Sequence, residues 1–324
     1  MSPVRHPEQV ALAAAMLVAA LVIRGGAASG QDPQTRPPVF RAQGSAVSVD
    51  VAVRDKARKA ITDLTAEDFV VEDNDVRQSI DTVSYAKRPI DVTVGLDVSG
   101  SVTGLVLDRL RAGVAELARG LRDVDRVKLV LFNTQVNRAI DFSSDVQAVT
   151  RAMRDVPAGG ATALYDTLVA SLVAARDPER RQLIMFFTDG ADSGSFTSAP
   201  VMETIAERER ATVTFVMSSL VMPGVRQITS VGGSTSSVTF PTMVRAADSA
   251  LAKVARDTGG EVIPVDAQTS LGSVFRKILD DFRSSYVLFY SPTGVERTGF
   301  HTITVNVTRP AGAIVTARRG YFGG

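Results

Sequence analysis

Residues 90–101 read IDVTVGLDVSGS, and this stretch decides the fold that the sequence predicts. Residues 90–96 are rich in apolar and β-branched side chains, which is typical of a strand. A short polar turn follows, in which Asp97, Ser99 and Ser101 alternate with other residues. The next segment has apolar residues at helical spacing, so the stretch predicts a strand, a polar loop and a helix.

The same alternation of strand and helix continues through the middle of the chain. Further strands are predicted at residues 127–132, 183–187 and 213–217, with amphipathic helices between them. Repeated units of this kind predict an α/β fold with a doubly wound, Rossmann-like sheet that binds ligands at the carboxyl ends of its strands. Residues 218–242 are rich in Gly, Ser and Thr and are predicted to form a long exposed loop or a hairpin near this edge.

Two flanking segments have β character instead. Apolar residues alternate with polar or smaller ones in residues 47–53 and again in residues 303–307, the pattern of half-buried strands. Each flank alone has too few strands to bury a face. Residues 45–87 and 286–324 are therefore predicted to pack together as a small β module beside an α/β domain that spans residues 88–285.

Residues 1–30 have the three parts of a secretory signal peptide. A basic start precedes an apolar run at residues 10–23, and small residues follow it. The run is shorter than the roughly 20 residues that a membrane-spanning helix needs. We expect an exported protein, periplasmic or at the cell surface, with residues 31–44 as a linker; the alternative is an uncleaved membrane anchor with Arg24 at the interface.

The composition excludes several kinds of active site. The 324 residues include no cysteine, so thiolate nucleophiles, zinc–thiolate sites and disulfides are excluded. His6 lies in the predicted signal peptide, so a Ser-His-Asp hydrolase would have to use His301. The net charge of +1 gives no overall attraction for nucleic acid. A binding protein, rather than an enzyme or a nucleic-acid-binding protein, is predicted.

Three polar loops are predicted to meet at the carboxyl edge of the sheet. Their sequences are Asp97-x-Ser99-x-Ser101, Gly159-Gly160-Ala161-Thr162-Ala163-Leu164-Tyr165-Asp166 and Phe187-Thr188-Asp189-Gly190. Together they resemble the metal-ion-dependent adhesion site of von Willebrand factor A (VWA) domains. The resemblance extends over roughly residues 89–284. It departs from the family at Ala161, which separates Gly160 from Thr162 where the family commonly has Gly-Gly-Thr.

The resemblance implies a divalent cation, with Mg²⁺ expected first and Mn²⁺ or Ca²⁺ as alternatives. The metal ligands that it implies are Asp97, Ser99, Ser101, Thr162 and Asp189. If the hydroxyls bind directly and the carboxylates act largely through water, the ion keeps positive charge for one more ligand. The implied partner is a protein that presents Asp or Glu. A scaffold or assembly factor of an envelope complex, with a structural metal, is the alternative; a hydrolase using Ser99 or Ser101 would lack an evident base.

The flanks carry a second resemblance. Residues 68–73 with Gln78, and the terminal Gly320-Tyr321-Phe322, are similar to those of exported bacterial proteins described as VWFA-related, of the kind found in Acidobacteria. This resemblance implies the architecture of the chain, and it does not indicate a biological process. Contact with a membrane is expected only if the N-terminal segment is an uncleaved anchor.

Overall fold

The computed structural model describes residues 46–100, 102, 104–154, 156, 158–174, 177–218, 225–229, 235–239 and 241–324. For residues 138 and 225–248 it describes only the backbone elements. The predicted signal peptide (residues 1–30), the predicted linker (residues 31–44) and the candidate ligand Ser101 therefore lie outside the described residues.

The elements of the described chain alternate between strand and helix in the middle and are strands at both ends. The strands are β1 (Val47–Arg54), β2 (Phe69–Asp73), β3 (Val76–Gln78), β4 (Ile80–Tyr85), β5 (Ile90–Asp97), β6 (Arg126–Phe132), β7 (Val136–Ser143), β8 (Arg181–Thr188), β9 (Thr212–Ser218), β10 (Val225–Thr229), β11 (Thr235–Thr239), β12 (Val262–Val265), β13 (Tyr286–Tyr290), β14 (Gly299–Val307), β15 (Ile314–Ala317) and β16 (Gly320–Gly323). The helices are α1 (Leu105–Arg119), α2 (Val146–Ala152), α3 (Leu164–Ala174), α4 (Ala199–Arg208), α5 (Pro241–Thr258) and α6 (Leu271–Arg283). Within the described part of the chain, no helix combines the length and the apolar character that a membrane crossing requires.

The central sheet has the strand order β12-β9-β8-β5-β6-β7. Its neighbouring strands are parallel, except that β7 runs antiparallel to β6 at one edge. Helices α1 and α6 bury apolar side chains against one face, and α3, α4 and α5 bury theirs against the other. The predicted α/β fold with a doubly wound sheet is confirmed.

The sequence of β8 shows why both faces of this sheet are covered. Met185 and Phe187 pack into the core on one face, whereas Ile184 and Phe186 pack into the core on the other. The neighbouring strand β5 leaves room for one of these rings, because an added Cβ at Gly95 would lie 2.6 Å from a ring carbon of Phe186. A strand with apolar side chains on both sides is stable only between two helical layers.

Strands from the two ends of the described chain share two further sheets. Their strand orders are β15-β1-β13-β4 and β16-β14-β2-β3. Strand β13 pairs with both β1 and β4, and β14 pairs with β2, all antiparallel. The two sheets enclose one hydrophobic core. Inside it, the hydroxyl of Tyr286 donates to the Ile61 carbonyl (2.9 Å) and accepts from the Leu64 amide (3.0 Å), which fixes the loop between β1 and β2.

The segment after β9 contains a hairpin. Strands β10 and β11 pair antiparallel, with Val225 opposite Thr239. Of the loop and the hairpin predicted for residues 218–242, the structure has the hairpin. Because β9 is parallel to β8 and ends at Ser218, the chain leaves the central sheet at its carboxyl edge before the hairpin begins.

Candidate functional site

Backbone hydrogen bonds join the three predicted loops at the carboxyl edge of the central sheet. The amide of Gly159, in the second loop, donates to the carbonyl of Val98 in the first loop at 2.9 Å. The amides of Ser193 and Gly194, which follow the third loop, both donate to the carbonyl of Thr162 at 2.9 Å. The loops are therefore close neighbours, and the position of each depends on the others.

Asp97, the last residue of β5, is fully buried among these loops. One carboxylate oxygen accepts a hydrogen bond from the Ser99 amide (2.9 Å), and the other accepts one from the Thr188 hydroxyl (3.1 Å). Burial raises the pKa of Asp97 to about 6; a hydrogen bond from the Ser99 side chain opposes this rise, and the negative charge of Asp189 adds to it. Within the described part of the chain, no lysine or arginine forms an ion pair with Asp97.

Three of the other candidate ligands, Ser99, Thr162 and Asp189, are described at this edge of the sheet. Ser99 and Thr162 are buried, and Asp189 is half-buried directly after β8, where its carboxylate accepts from the Ala191 amide (2.9 Å). The described residues contain no group of three or more acidic or histidine side chains suited to a metal. The oxygen donors available at this edge are therefore two carboxylates and neutral hydroxyls, a set that suits a hard divalent cation.

The glycines before Ala161 accommodate the extra residue in the second loop. Gly160 has a φ of +87°, and an added Cβ there would lie 2.5 Å from the Thr134 hydroxyl oxygen. That same oxygen accepts from the Ala161 amide (3.0 Å), and the Asn133 carbonyl accepts from the Ala163 amide (2.7 Å). The loop is thereby held against the turn after β6 on both sides of the candidate threonine ligand.

A family model confirms the type of domain. The model described as "von Willebrand factor type A domain" matches residues 92–191, which include all three loops. The chain contains a von Willebrand factor type A domain. The matched residues include β6, β7 and β8, most of β5 and the helices α1, α2 and α3. The central sheet with its helices is called the VWA domain below, and β1–β4 and β13–β16 flank it.

Several known proteins are similar to this chain. The human voltage-dependent calcium channel subunit alpha-2/delta-2 is 31% identical over 132 residues, which cover 36% of this chain and 11% of that subunit. The chain thus spans about a tenth of the length of the curated relatives that it matches. Among solved structures, a von Willebrand factor type A protein from Catenulispora acidiphila is 12% identical, with 81% of this chain and 75% of that chain covered and a TM-score of 0.47. An aerotolerance-related membrane protein from Bacteroides fragilis is 15% identical, with 60% and 98% covered and a TM-score of 0.47.

Two aspartates that are not among the predicted metal ligands hold the loops of the VWA domain together. Asp192 accepts a hydrogen bond from the Leu164 amide (2.9 Å) at the start of α3. A side chain that lies after the third loop therefore caps α3, the helix that follows the second loop. In the reverse direction, Asp166 of α3 accepts from the amides of Phe196 and Thr197, each at 2.9 Å. An aspartate directly before a helix is a local capping signal. Asp192 lies 28 residues after Leu164, so no local pattern shows this contact.

Two large apolar side chains are exposed on segments that extend from the candidate site. Leu105 is 82% exposed at the start of α1, directly after the first loop. Phe196 is 100% exposed on the segment between β8 and α4. Its backbone is nevertheless held by Asp166, so the ring is presented from a bonded position. Aromatic residues, phenylalanine among them, are enriched at protein-binding surfaces.

Proposed function

We propose that the VWA domain binds a divalent cation at the carboxyl edge of its sheet and uses it to bind a partner protein. The ligands are Asp97, Ser99, Ser101, Thr162 and Asp189, and the ion is Mg²⁺ in the first place, with Mn²⁺ or Ca²⁺ as alternatives. The observation that carries this proposal is the fully buried carboxylate of Asp97. The negative charge of Asp189 acts to raise its pKa, and no basic side chain of the described chain forms an ion pair with it.

The electrostatics of Asp97 support a cation. A buried charge without a partner is unfavourable, and a nearby like charge makes it more so. A divalent cation beside Asp97 and Asp189 reverses both effects. The Ser99 and Thr162 hydroxyls are buried at the same edge and add neutral oxygens. When bound, such an ion is a Lewis acid that accepts one further oxygen ligand.

We propose that the partner supplies that ligand as an Asp or Glu carboxylate. Neutral hydroxyl donors leave part of the charge of the ion unbalanced, and a carboxylate balances it best. Phe196 and Leu105 supply apolar contacts near the same loops, so the partner segment would carry an apolar residue close to its acidic one. The hairpin of β10 and β11 follows β9, which ends at the same edge, and is a further candidate contact.

We propose that the domain binds its partner without catalysing a reaction. His301, the imidazole that a hydrolase would need, lies in β14, outside the VWA domain. It is 1% exposed, and its Nδ1 is 2.7 Å from a carboxylate oxygen of Asp73. A base for Ser99 would have to lie within hydrogen-bonding distance of that hydroxyl or one water away. The position of His301 therefore supports a binding function.

We also propose that the protein is exported, to the periplasm or the cell surface, as a VWFA-related protein. The three-part N-terminal segment of residues 1–30 supports this assignment. Sequencing the N-terminus of protein recovered from the envelope and from the medium tests it. A new N-terminus near residue 30 is expected; an intact N-terminus in the membrane fraction would instead show an uncleaved anchor.

Titration calorimetry and partner capture test the binding proposal together. The full chain is expected to bind Mg²⁺, and cross-linking in the native envelope is expected to capture a partner with Mg²⁺ but not with a chelator. Replacing the acidic residue of that partner by its amide should abolish binding. Phe196→Ser should weaken partner binding while Mg²⁺ affinity is unchanged, and Val173→Ser, an exposed apolar residue of α3, is its control. Partner binding that survives chelation would refute the mechanism.

A further inference from the structure

A cavity of about 310 Å³ lies at the opposite end of the central sheet from the cation site. Residues at the start of β8 and β9 line it on the side of the VWA domain, and residues of β1 and β13 line it on the side of the flanking sheets. Its charged lining residues are Arg88, Arg180, Arg181, Arg208, Arg210, Arg318, Asp50, Asp177 and Glu209. Arginine therefore outnumbers the acidic residues by six to three.

The acidic residues neutralise only some of these arginines. Arg181 forms an ion pair with Asp50 (2.6 Å), and Arg180 forms one with Asp91 outside the cavity. Asp177 lies 3.4 Å from Arg126, which does not line the cavity. In the described part of the chain, four lining arginines have no carboxylate within 4.0 Å; they are Arg88, Arg208, Arg210 and Arg318.

Arg318 is the most unusual of the four because it is 7% exposed. Its guanidinium donates to the carbonyls of Gly320 (2.5 Å) and Glu207 (3.1 Å), which are neutral. Burial lowers the pKa of Arg318 to about 10; the charge of Asp50 opposes this effect, and the charge of Arg210 adds to it. The side chain is still cationic at neutral pH. A buried cation with only carbonyl partners is a favourable place for an anion.

The neighbouring arginines are arranged to share such an anion. Arg210 and Arg318 line the same cavity, and the charge of Arg210 acts to lower the pKa of Arg318. Arg208 stacks over the Phe322 ring at 4.0 Å. A stacked guanidinium keeps its N–H groups in its own plane, where they can form paired hydrogen bonds with an oxyanion.

We propose that this cavity binds a phosphate-type oxyanion, either free or as a small phosphate monoester. A dianion with several oxygens can accept hydrogen bonds from Arg318, Arg210 and Arg208 at once. The volume exceeds that of a single phosphate and leaves space for a small organic group. Because Arg318 follows β15 and Arg210 follows α4, a bound anion joins the flanking sheets to the VWA domain.

Thermal unfolding and calorimetry of the full chain with inorganic phosphate test this site. Ionic strength is held constant with NaCl, and a chelator is present so that the cation site does not contribute. Phosphate is expected to raise the melting temperature saturably, because it binds the folded state. Arg210→Gln is the main variant, since Arg210 is exposed and its loss leaves the packing intact.

We expect Arg210→Gln to weaken phosphate binding by about fivefold or more. The single variant Arg318→Gln should weaken phosphate binding more than Arg210→Gln does. Arg77→Gln, which replaces an exposed arginine of β3 that does not line the cavity, is the matched control and should bind phosphate normally. Equal stabilisation by NaCl alone, or unchanged affinity in Arg210→Gln, overturns the proposal. Tighter binding of glycerol phosphate than of phosphate identifies a monoester as the ligand; weaker binding identifies the free anion.

Discussion

The two ends of β5 each carry a buried aspartate, and the two carboxylates have different kinds of partner. Asp91, at the amino end, is 1% exposed, and Arg126 and Arg180 both form ion pairs with it. Asp97, at the carboxyl end, is 0% exposed and receives hydrogen bonds from an amide and from hydroxyls instead. One strand thus holds one carboxylate with its counter-charge built in and one without.

Asp125 extends the comparison at the amino edge. It is fully buried, and Arg122 and Arg283 form ion pairs with it. Burial acts to raise the pKa of Asp125, but hydrogen bonds, first of all from Arg122, lower it on balance. Both buried aspartates at the amino edge, Asp91 and Asp125, are thus paired with arginines. The absence of an ion pair between arginine and Asp97 in the described chain supports the proposal that a cation from outside binds there.

The largest expected effect is on stability, from Asp91→Ala. This variant leaves Arg126 and Arg180 side by side without their shared carboxylate, and we expect the free energy of unfolding to fall by about 3 kcal/mol. Urea denaturation measures it, and Mg²⁺ affinity of the folded protein should be unchanged. Asp177→Ala removes an exposed partner of Arg126 and should cost less than about 1 kcal/mol. Equal losses in the two variants would contradict the assigned role of Asp91.

Asp97→Ala should have the converse effect. We expect Mg²⁺ affinity to fall by about 100-fold or more, because the buried carboxylate anchors the site. The unfolding free energy of the cation-free protein should not fall, since the lost group is an unpaired charge. Calorimetry measures the Mg²⁺ affinity and urea denaturation measures the unfolding free energy, with Asp91→Ala as the comparison for both. Normal Mg²⁺ affinity in Asp97→Ala would show that the cation site has been misassigned.

The raised pKa of Asp97 gives a smaller effect that depends on pH. Because the pKa is about 6 in the folded protein and about 4 in an unfolded chain, a proton on Asp97 stabilises the fold between these values. With a chelator present, the unfolding free energy of the wild type relative to Asp97→Asn should fall by about 2 kcal/mol from pH 4.5 to pH 7. Saturating Mg²⁺ should remove most of this fall. A difference that rises with pH would contradict the pKa shift.

The smallest effect is expected from Asp192→Ala. Loss of this cap should lower the free energy of unfolding by about 1 kcal/mol and weaken Mg²⁺ binding severalfold, since the loop that contains Thr162 precedes the capped helix. Asp145→Ala is a matched control, because Asp145 caps a different helix, α2. It accepts exposed hydrogen bonds from the amides of Gln147 and Ala148. The control variant should cost similar stability and leave Mg²⁺ binding unchanged. Equal Mg²⁺ affinity in both variants would show that Asp192 serves stability alone.

Local patterns in the sequence were sufficient to predict the fold of the VWA domain. The apolar run of β8 predicts a strand buried on both faces, and the order of strands and helices predicts the doubly wound sheet. The loops were predicted to meet because the carboxyl ends of parallel strands share one edge. The ligand assignment of Asp97, Thr162 and the other candidates, and the domain boundaries, stay predictions.

Contacts between distant residues could not be predicted in this way. Asp192 caps α3, and Thr134 supports the second loop from 27 residues earlier in the chain. The arginines of the amino edge look like ordinary surface charges in the sequence. Only the fold shows that Arg318 is buried while Arg210 stays exposed beside it. Such pairings depend on tertiary packing, which a single sequence does not encode in any local pattern.

The pairing of β4 with β13 has a mechanical consequence. The chain enters the VWA domain after Tyr85 and leaves it before Tyr286, and these two residues lie opposite each other in one antiparallel ladder. Tension between the two ends of the described chain is therefore carried by the flanking sheets and bypasses the VWA domain. A partner pulling at the carboxyl edge would instead load β5 and β8 along their length. A load along the strands is then shared by many hydrogen bonds between parallel strands at once. A partner tethered at this edge would therefore be held without breaking these hydrogen bonds one after another.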